Sequence, residues 1–148
     1  MNLMNLFQGK GTTSAMIELL LREEGFKTGL FTSPHLCKVN ERIRINGKPI
    51  SDEDFALSFH HIYEQLDALQ RPAYFSFLTL VAFHAFNTLK VDVVILEVGI
   101  GGTFCTTSLY PVGSAQRVCC VTGEFRNLSV KNPYLRYLRG KLRFLRTI

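Results

Sequence analysis

No CxxC pair occurs in this chain. Its four cysteines, Cys37, Cys105, Cys119 and Cys120, also have no histidines at zinc-ligand spacing, which argues against a zinc centre. Cys119 and Cys120 are adjacent, and neighbouring cysteines rarely pair with each other. No secretory signal opens the sequence and Met1 to Leu6 carries no Arg-rich transit segment, so free thiols in a reducing compartment are expected. Long apolar runs are missing too. Phe77 to Phe86 is interrupted by His84, and Val91 to Gly102 by Asp92 and Glu97, so neither reaches the roughly 18 residues of a membrane span. Acids are absent from the last 24 residues. Residues 125–148 hold 7 Lys/Arg and no Asp/Glu, whereas 1–124 hold 10 against 12. The net charge of +5 therefore belongs to the tail, while the body is mildly acidic. A nucleic-acid surface would be confined to that tail, and no nucleic-acid partner is expected.

At 148 residues and 47% apolar content the chain can bury a single core and is not disordered throughout. Ala15, Met16, Leu19 and Leu20 have helical spacing after Thr12, with Gly25 as the stop. A short strand is expected over 27–32. Ser51 ahead of Asp52-Glu53-Asp54 reads as the N-cap of a second helix, its acids facing the positive dipole end. Phe55, Phe59, Ile62, Leu66 and Leu69 form its inward stripe, and Arg71-Pro72 ends it. A third helix, 75–89, is apolar almost all round and belongs in the interior. Residues 91–98 suit a central parallel strand covered on both faces, and 117–121 a further strand.

This alternation implies an α/β fold, a parallel sheet flanked by helices. The sheet is incomplete, because 1–6 is a poor and short substitute for a buried first strand. Ligands of such sheets gather beyond the C-terminal strand ends. Ser33 and the Glu97 to Gly102 segment fall there, and Gly9 to Thr12 would follow a first strand. In the tail, Leu135, Leu138, Leu142 and Leu145 recur at helical spacing with Gly140 interrupting. A basic amphipathic helix and a disordered segment are the two expectations there.

Three short segments carry the chemistry. In Gly29 to Leu36 an apolar strand enters a Ser33-Pro34-His35 loop, and the charge-rich 39–46 leads on to a turn at Gly47. Pro34 biases Ser33 toward an extended backbone and so aims its hydroxyl. A fixed oxygen beside an imidazole suits a phosphate or a metal, with a plain surface turn as the alternative. Glu97 is embedded in Val94-Ile95-Leu96, where an ionised carboxylate is costly unless paired or metal-bound. Gly9-Lys10-Gly11-Thr12-Thr13 precedes the first helix. His60, His61 and His84 match no motif and read as a surface pair and a helix-packing residue.

Together, Gly9 to Thr13, the Ser-Pro-His loop and Leu96 to Gly102 resemble the folylpolyglutamate synthase family of ATP-dependent amide ligases, related to the Mur ligases. The resemblance runs from about Gly9 to Gly102 and includes Gly25 to Ser51 and Arg71 to Phe75. It implies that 1–124 is a partial ATP- and folate-binding domain, a truncated Mur ligase-like central domain, and that 125–148 is foreign to the family. It implies ATP and Mg²⁺ as cofactors, with Gly9, Lys10, Gly11 and Thr12 at the phosphates. Thr12, Ser33 and Glu97 would serve the metal, and Lys10, Ser33 and Glu97 catalysis. His35, Tyr74 and Phe75 would line the folate side, with core packing the alternative for the two aromatic rings. The implied substrates are a reduced folate and L-glutamate, joined through an acyl phosphate. A monomer in the cytoplasm or mitochondria is expected.

Departures from the pattern temper that expectation. Leu6, Phe7 and Gln8 stand where the family's phosphate loop has Gly, Thr and a polar residue. Thr103 to Ser108 has no Asp, no Ser-x-x-x-Asp-His follows 117–121, and the family's second domain is missing. The isolated chain is therefore expected to be a weak or inactive fragment. Two alternatives are a non-catalytic nucleotide- or folate-binding module and a partner- or membrane-binding chain acting through its basic tail.

Overall fold

The computed structural model describes residues 9–66, 72–99 and 117–121. Along the chain come α1 (Lys10–Glu23), β1 (Thr28–Phe31), a 3₁₀ turn (Val39–Arg42), β2 (Ile43–Ile45) and β3 (Lys48–Pro49). Then follow α2 (Asp52–Gln65), α3 (Tyr74–Thr88), β4 (Val93–Glu97) and β5 (Arg117–Val121). The strands form one sheet in the order β3-β2-β1-β4-β5. β1, β4 and β5 run parallel, as the sequence implies. The edge differs from that expectation: β2 and β3 form an antiparallel hairpin laid against β1. Asn46 and Gly47, with φ of 49° and 76°, make its two-residue turn, the geometry that Asn-Gly adopts most readily.

Side-chain parity on β1 and β4 sorts the core into two layers. Leu30, Val93 and Ile95 face α1, where they meet Ile17 and Leu21. Phe31, Val94 and Leu96 face α3, against Leu78, Val81, Ala82, Ala85 and Phe86. All five residues of β4 are buried, as a strand covered on both faces requires. α2 lies outside α3. Phe59 packs edge-on to Phe77 at 5.1 Å, and Phe55, Phe59, Ile62 and Leu66 are half-buried. Ser58, not one of that stripe, is the fully buried residue of α2, and Leu69 lies outside the described residues. The Ser51 cap is present: its hydroxyl accepts the Asp54 N–H at 3.0 Å. The phosphate-loop departure at 6–8, the segment 100–116 and the tail lie outside the described residues. No described helix is long and apolar enough to cross a membrane.

One buried polar cluster joins α1 to the sheet. Glu18, 4% exposed, accepts the Thr28 hydroxyl at 2.6 Å and the Arg22 Nε–H at 3.2 Å. Asn46 Oδ1 accepts the Thr28 N–H at 2.9 Å. Thr28→Val keeps the shape but leaves the buried carboxylate short of a donor. It should lower stability by about 1–3 kcal/mol in urea unfolding.

At the α2–α3 contact, His61 and His84 stack with ring centroids 4.1 Å apart. His84 Nδ1 is buried without a hydrogen-bond partner. Burial pushes His84 below the ordinary imidazole value of 6.5, and the neighbouring His61 adds to that. Between the folded value and 6.5 the unfolded chain binds a proton here that the folded chain refuses. Stability from this group is therefore complete above 6.5 and is lost as pH falls through that window. His84→Phe should flatten the acid side of a plot of thermal midpoint against pH.

Candidate functional site

The site begins with a buried acid. Val93, Ile95 and Glu97 share the α1 face of the sheet, so β4 ends by turning a carboxylate toward the start of that helix. Glu97 is 5% exposed. Its carboxylate lies beside Gly11, where an added Cβ would stand 3.6 Å from both oxygens. Glu97 Oε2 also accepts the Ser33 N–H at 2.9 Å. Three segments distant in sequence, the first turn of α1, the loop after β1 and the end of β4, therefore meet at one carboxylate.

The helix start has little of its own to offset its positive end. Gly9 caps α1 with φ of 99°, a left-handed conformation that favours glycine, and makes no side-chain cap bond. α1 has no acid in its first turn. The first intrahelical bond runs from the Thr13 N–H to the Gly9 carbonyl. The Gly11 and Thr12 N–H groups precede it and have no helical acceptor, which makes this terminus a place for anionic oxygens. Lys10 is half-buried on this turn and Thr12 is exposed. Around this point lie the Glu97 carboxylate and, on the adjoining segments, the hydroxyl-bearing residues Ser33 and Thr12, oxygen donors of the kind a hard cation takes. No group of three or more His, Cys, Asp or Glu residues among the described residues forms a metal cage.

Next to this point stands a closed loop. The Thr32 N–H donates to the Arg42 carbonyl at 2.9 Å, joining its two ends, and the Ser33–Pro34 peptide within it is cis. Glu41 gathers the N–H groups of Leu36, Cys37 and Lys38 at 2.8, 3.1 and 2.9 Å. Those bonds, that of Lys38 foremost, hold its carboxyl below the ordinary value of 4.5. His35 Nδ1 meets the Nε–H of Arg42 at 3.0 Å, and Arg42 lies over the ring of Tyr74 at 5.6 Å. Phe75 packs on Phe31, centroids 5.7 Å apart. It also crowds Gly99, where an added Cβ would sit 3.0 Å from its Cζ.

The structure thus gathers Gly11, Ser33 and Glu97 directly, and ties His35 to Tyr74 through Arg42. Gly9, Lys10 and Thr12 share the turn with Gly11. Phe75 is a packing residue on the α3 face, whereas Tyr74 is 58% exposed. Gly101 and Gly102 lie outside the described residues. Glu41 and Arg42 are the residues that motif reading passed over. The signal for them was present: adjacent opposite charges closing a loop in which Lys38 is the one other charged residue of 33–40.

No family model matches this chain. Relatives and solved structures do. The mitochondrial folylpolyglutamate synthase of Cricetulus griseus is 53% identical over 108 residues, which is 69% of this chain and 18% of that protein. The human mitochondrial folylpolyglutamate synthase is 50% identical over 108 residues, again 69% of this chain and 18% of the relative. The bifunctional folylpolyglutamate synthase/dihydrofolate synthase of Yersinia pestis, solved with AMPPNP and Mn, aligns at a TM-score of 0.65 and 40% identity. That alignment covers 69% of this chain and 25% of the Yersinia chain. This chain therefore spans about a fifth of the length of the curated relatives it matches. Sequence identity and fold each match over 69% of this chain, and on that ground the chain belongs to the folylpolyglutamate synthase family.

Proposed function

We propose that residues 9–99 supply the phosphate and metal end of a site that adds L-glutamate to the γ-carboxyl of a reduced folate, driven by ATP. The observation that supports this most is the meeting of Gly11, Ser33 and Glu97 at one buried carboxylate. Forming an amide from a carboxylate in water is uphill. ATP makes it possible by converting the carboxylate to an acyl phosphate that the amine then attacks.

In this reading the Gly11 and Thr12 N–H groups hold phosphate oxygens, with Gly9 shaping the turn, and Lys10 places a positive charge against the β/γ-phosphates. Glu97, Ser33 and Thr12 would hold Mg²⁺, which when bound neutralises charge on the phosphates. Ser33 also carries the loop that brings His35 and Tyr74 to the folate side. The relatives' size makes turnover a property of a longer protein. Residues 1–124 are read as part of its ligand-binding domain and 125–148 as an appendage outside it. A monomer is proposed, in mitochondria as for the relatives named above or in the cytoplasm.

Titration of the purified chain with ATP tests the reading. Heat should appear with Mg²⁺ present and shrink sharply when the metal is chelated. ATP titration without any signal would overturn it. Binding without glutamate incorporation into tetrahydrofolate is the result expected of this chain alone.

A further inference from the structure

Arg42 is only 8% exposed, and among the described residues no carboxylate meets its guanidinium. A buried arginine ordinarily has an acid for company. Here its side-chain partners are two rings: His35, whose Nδ1 lies 3.0 Å from Nε, and Tyr74, whose centroid is 5.6 Å from Cζ. A guanidinium has donors and no acceptor. The Nδ1 atom of His35 must therefore present its lone pair, and the proton of the neutral ring resides on Nε2. The surroundings hold that arrangement in place. Arg42 closes the loop through its carbonyl and Thr32, and Glu41 secures Leu36, Cys37 and Lys38 just beyond His35.

We propose that Arg42 is a positioning residue that locks His35 in the Nε2–H tautomer and braces Tyr74 from one side. His35 then offers a fixed hydrogen-bond donor, next to an exposed aromatic ring, to a planar ligand that carries an acceptor oxygen or nitrogen. The ligand part rests on the loop lying at the folate side of the site; the tautomer does not.

The test is a long-range ¹H–¹⁵N correlation spectrum of the full chain, labelled at histidine, recorded above the imidazole titration range. His35 is assigned by its disappearance in His35→Gln. Wild-type His35 should show a pyridine-type Nδ1 and a pyrrole-type Nε2. In Arg42→Met and Arg42→Lys these two signals should move toward an averaged tautomer mixture, with those of His60, His61 and His84 unmoved. Folic acid affinity, read by tyrosine fluorescence, should fall roughly ten-fold in Arg42→Met while ATP affinity stays. A wild-type Nδ1–H tautomer, or an unaltered tautomer in both variants, overturns the proposal. Should both variants unfold, the wild-type spectrum decides alone. The stated tautomer without folic acid binding would leave the positioning role standing and remove the folate reading.

Discussion

Phe86→Ala should cost about 3–5 kcal/mol of folding stability, at the upper end for core truncations. Phe86 is 0% exposed and lies over the backbone of β1 at Gly29. A Cβ at Gly29 would fall 2.6 Å from its Cδ1 and 2.8 Å from its Cε1. The ring thus occupies space that only a glycine leaves open, and nothing on β1 can move in once it is gone. The same contact makes Gly29→Ala destabilising by about 1–3 kcal/mol through overpacking. The two changes together should not add. The methyl group at 29 enters part of the cavity left at 86, giving a favourable coupling of about 0.5–3 kcal/mol in a double-mutant cycle. Urea unfolding of the three variants measures this. A loss below about 1 kcal/mol for Phe86→Ala would contradict the packing described for α3 on β1.

Glu97→Gln should weaken Mg²⁺-dependent ATP binding by about a hundred-fold or more, since replacing even outer-shell partners of a metal ligand costs about 10–100-fold. The amide is nearly the shape of the carboxylate. Its oxygen can still accept the Ser33 N–H, so the loop after β1 stays in place. Glu97→Ala removes that acceptor as well, leaving the Ser33 N–H unpaired and freeing the loop. The pair of variants therefore separates charge from anchoring. Both should lose metal-dependent affinity, but only alanine should disturb the His35 and Tyr74 signals. Calorimetric titration with ATP, with and without Mg²⁺, provides the measurement. Wild-type metal dependence in Glu97→Gln would remove the carboxylate from the proposed role.

Much of the frame is legible in the sequence because burial leaves a periodic trace. The nearly continuous apolar 91–98 segment announces a central strand, and the all-round apolar third helix announces an interior one. Ser51 with three acids after it marks a helix start to the residue. Glu97 stands out for the same reason, a charge in a place where charge is expensive. What escaped reading depends on contacts between distant positions. The β2–β3 hairpin was foreshadowed by Asn46-Gly47, but its charged residues mask the strand pattern, and its place at the sheet edge is decided by pairing with β1. Arg42 looks like a surface charge because its partners, His35 and Tyr74, are aromatic rings, one of them across the fold. Glu18 is similar: its i+4 neighbour Arg22 suggests an exposed helical ion pair, yet Thr28 draws the carboxylate inside. The roles assigned to Lys10, Ser33 and Glu97 came from likeness to a family. The structure adds the proximity of Gly11, Ser33 and Glu97.

The two-residue rhythm of β4 carries a consequence for how this protein can change in length. Val93, Ile95 and Glu97 look one way, Val94 and Leu96 the other. Dropping one residue inside the strand would swing the acid away from Gly11 and into the aliphatic layer beneath Phe75, while pushing a hydrocarbon toward the helix start. Removing two would shorten the strand yet leave each remaining side chain on its proper side. Variation in this stretch is thus confined to even steps, and the acid's address is written as a count from the strand's first residue.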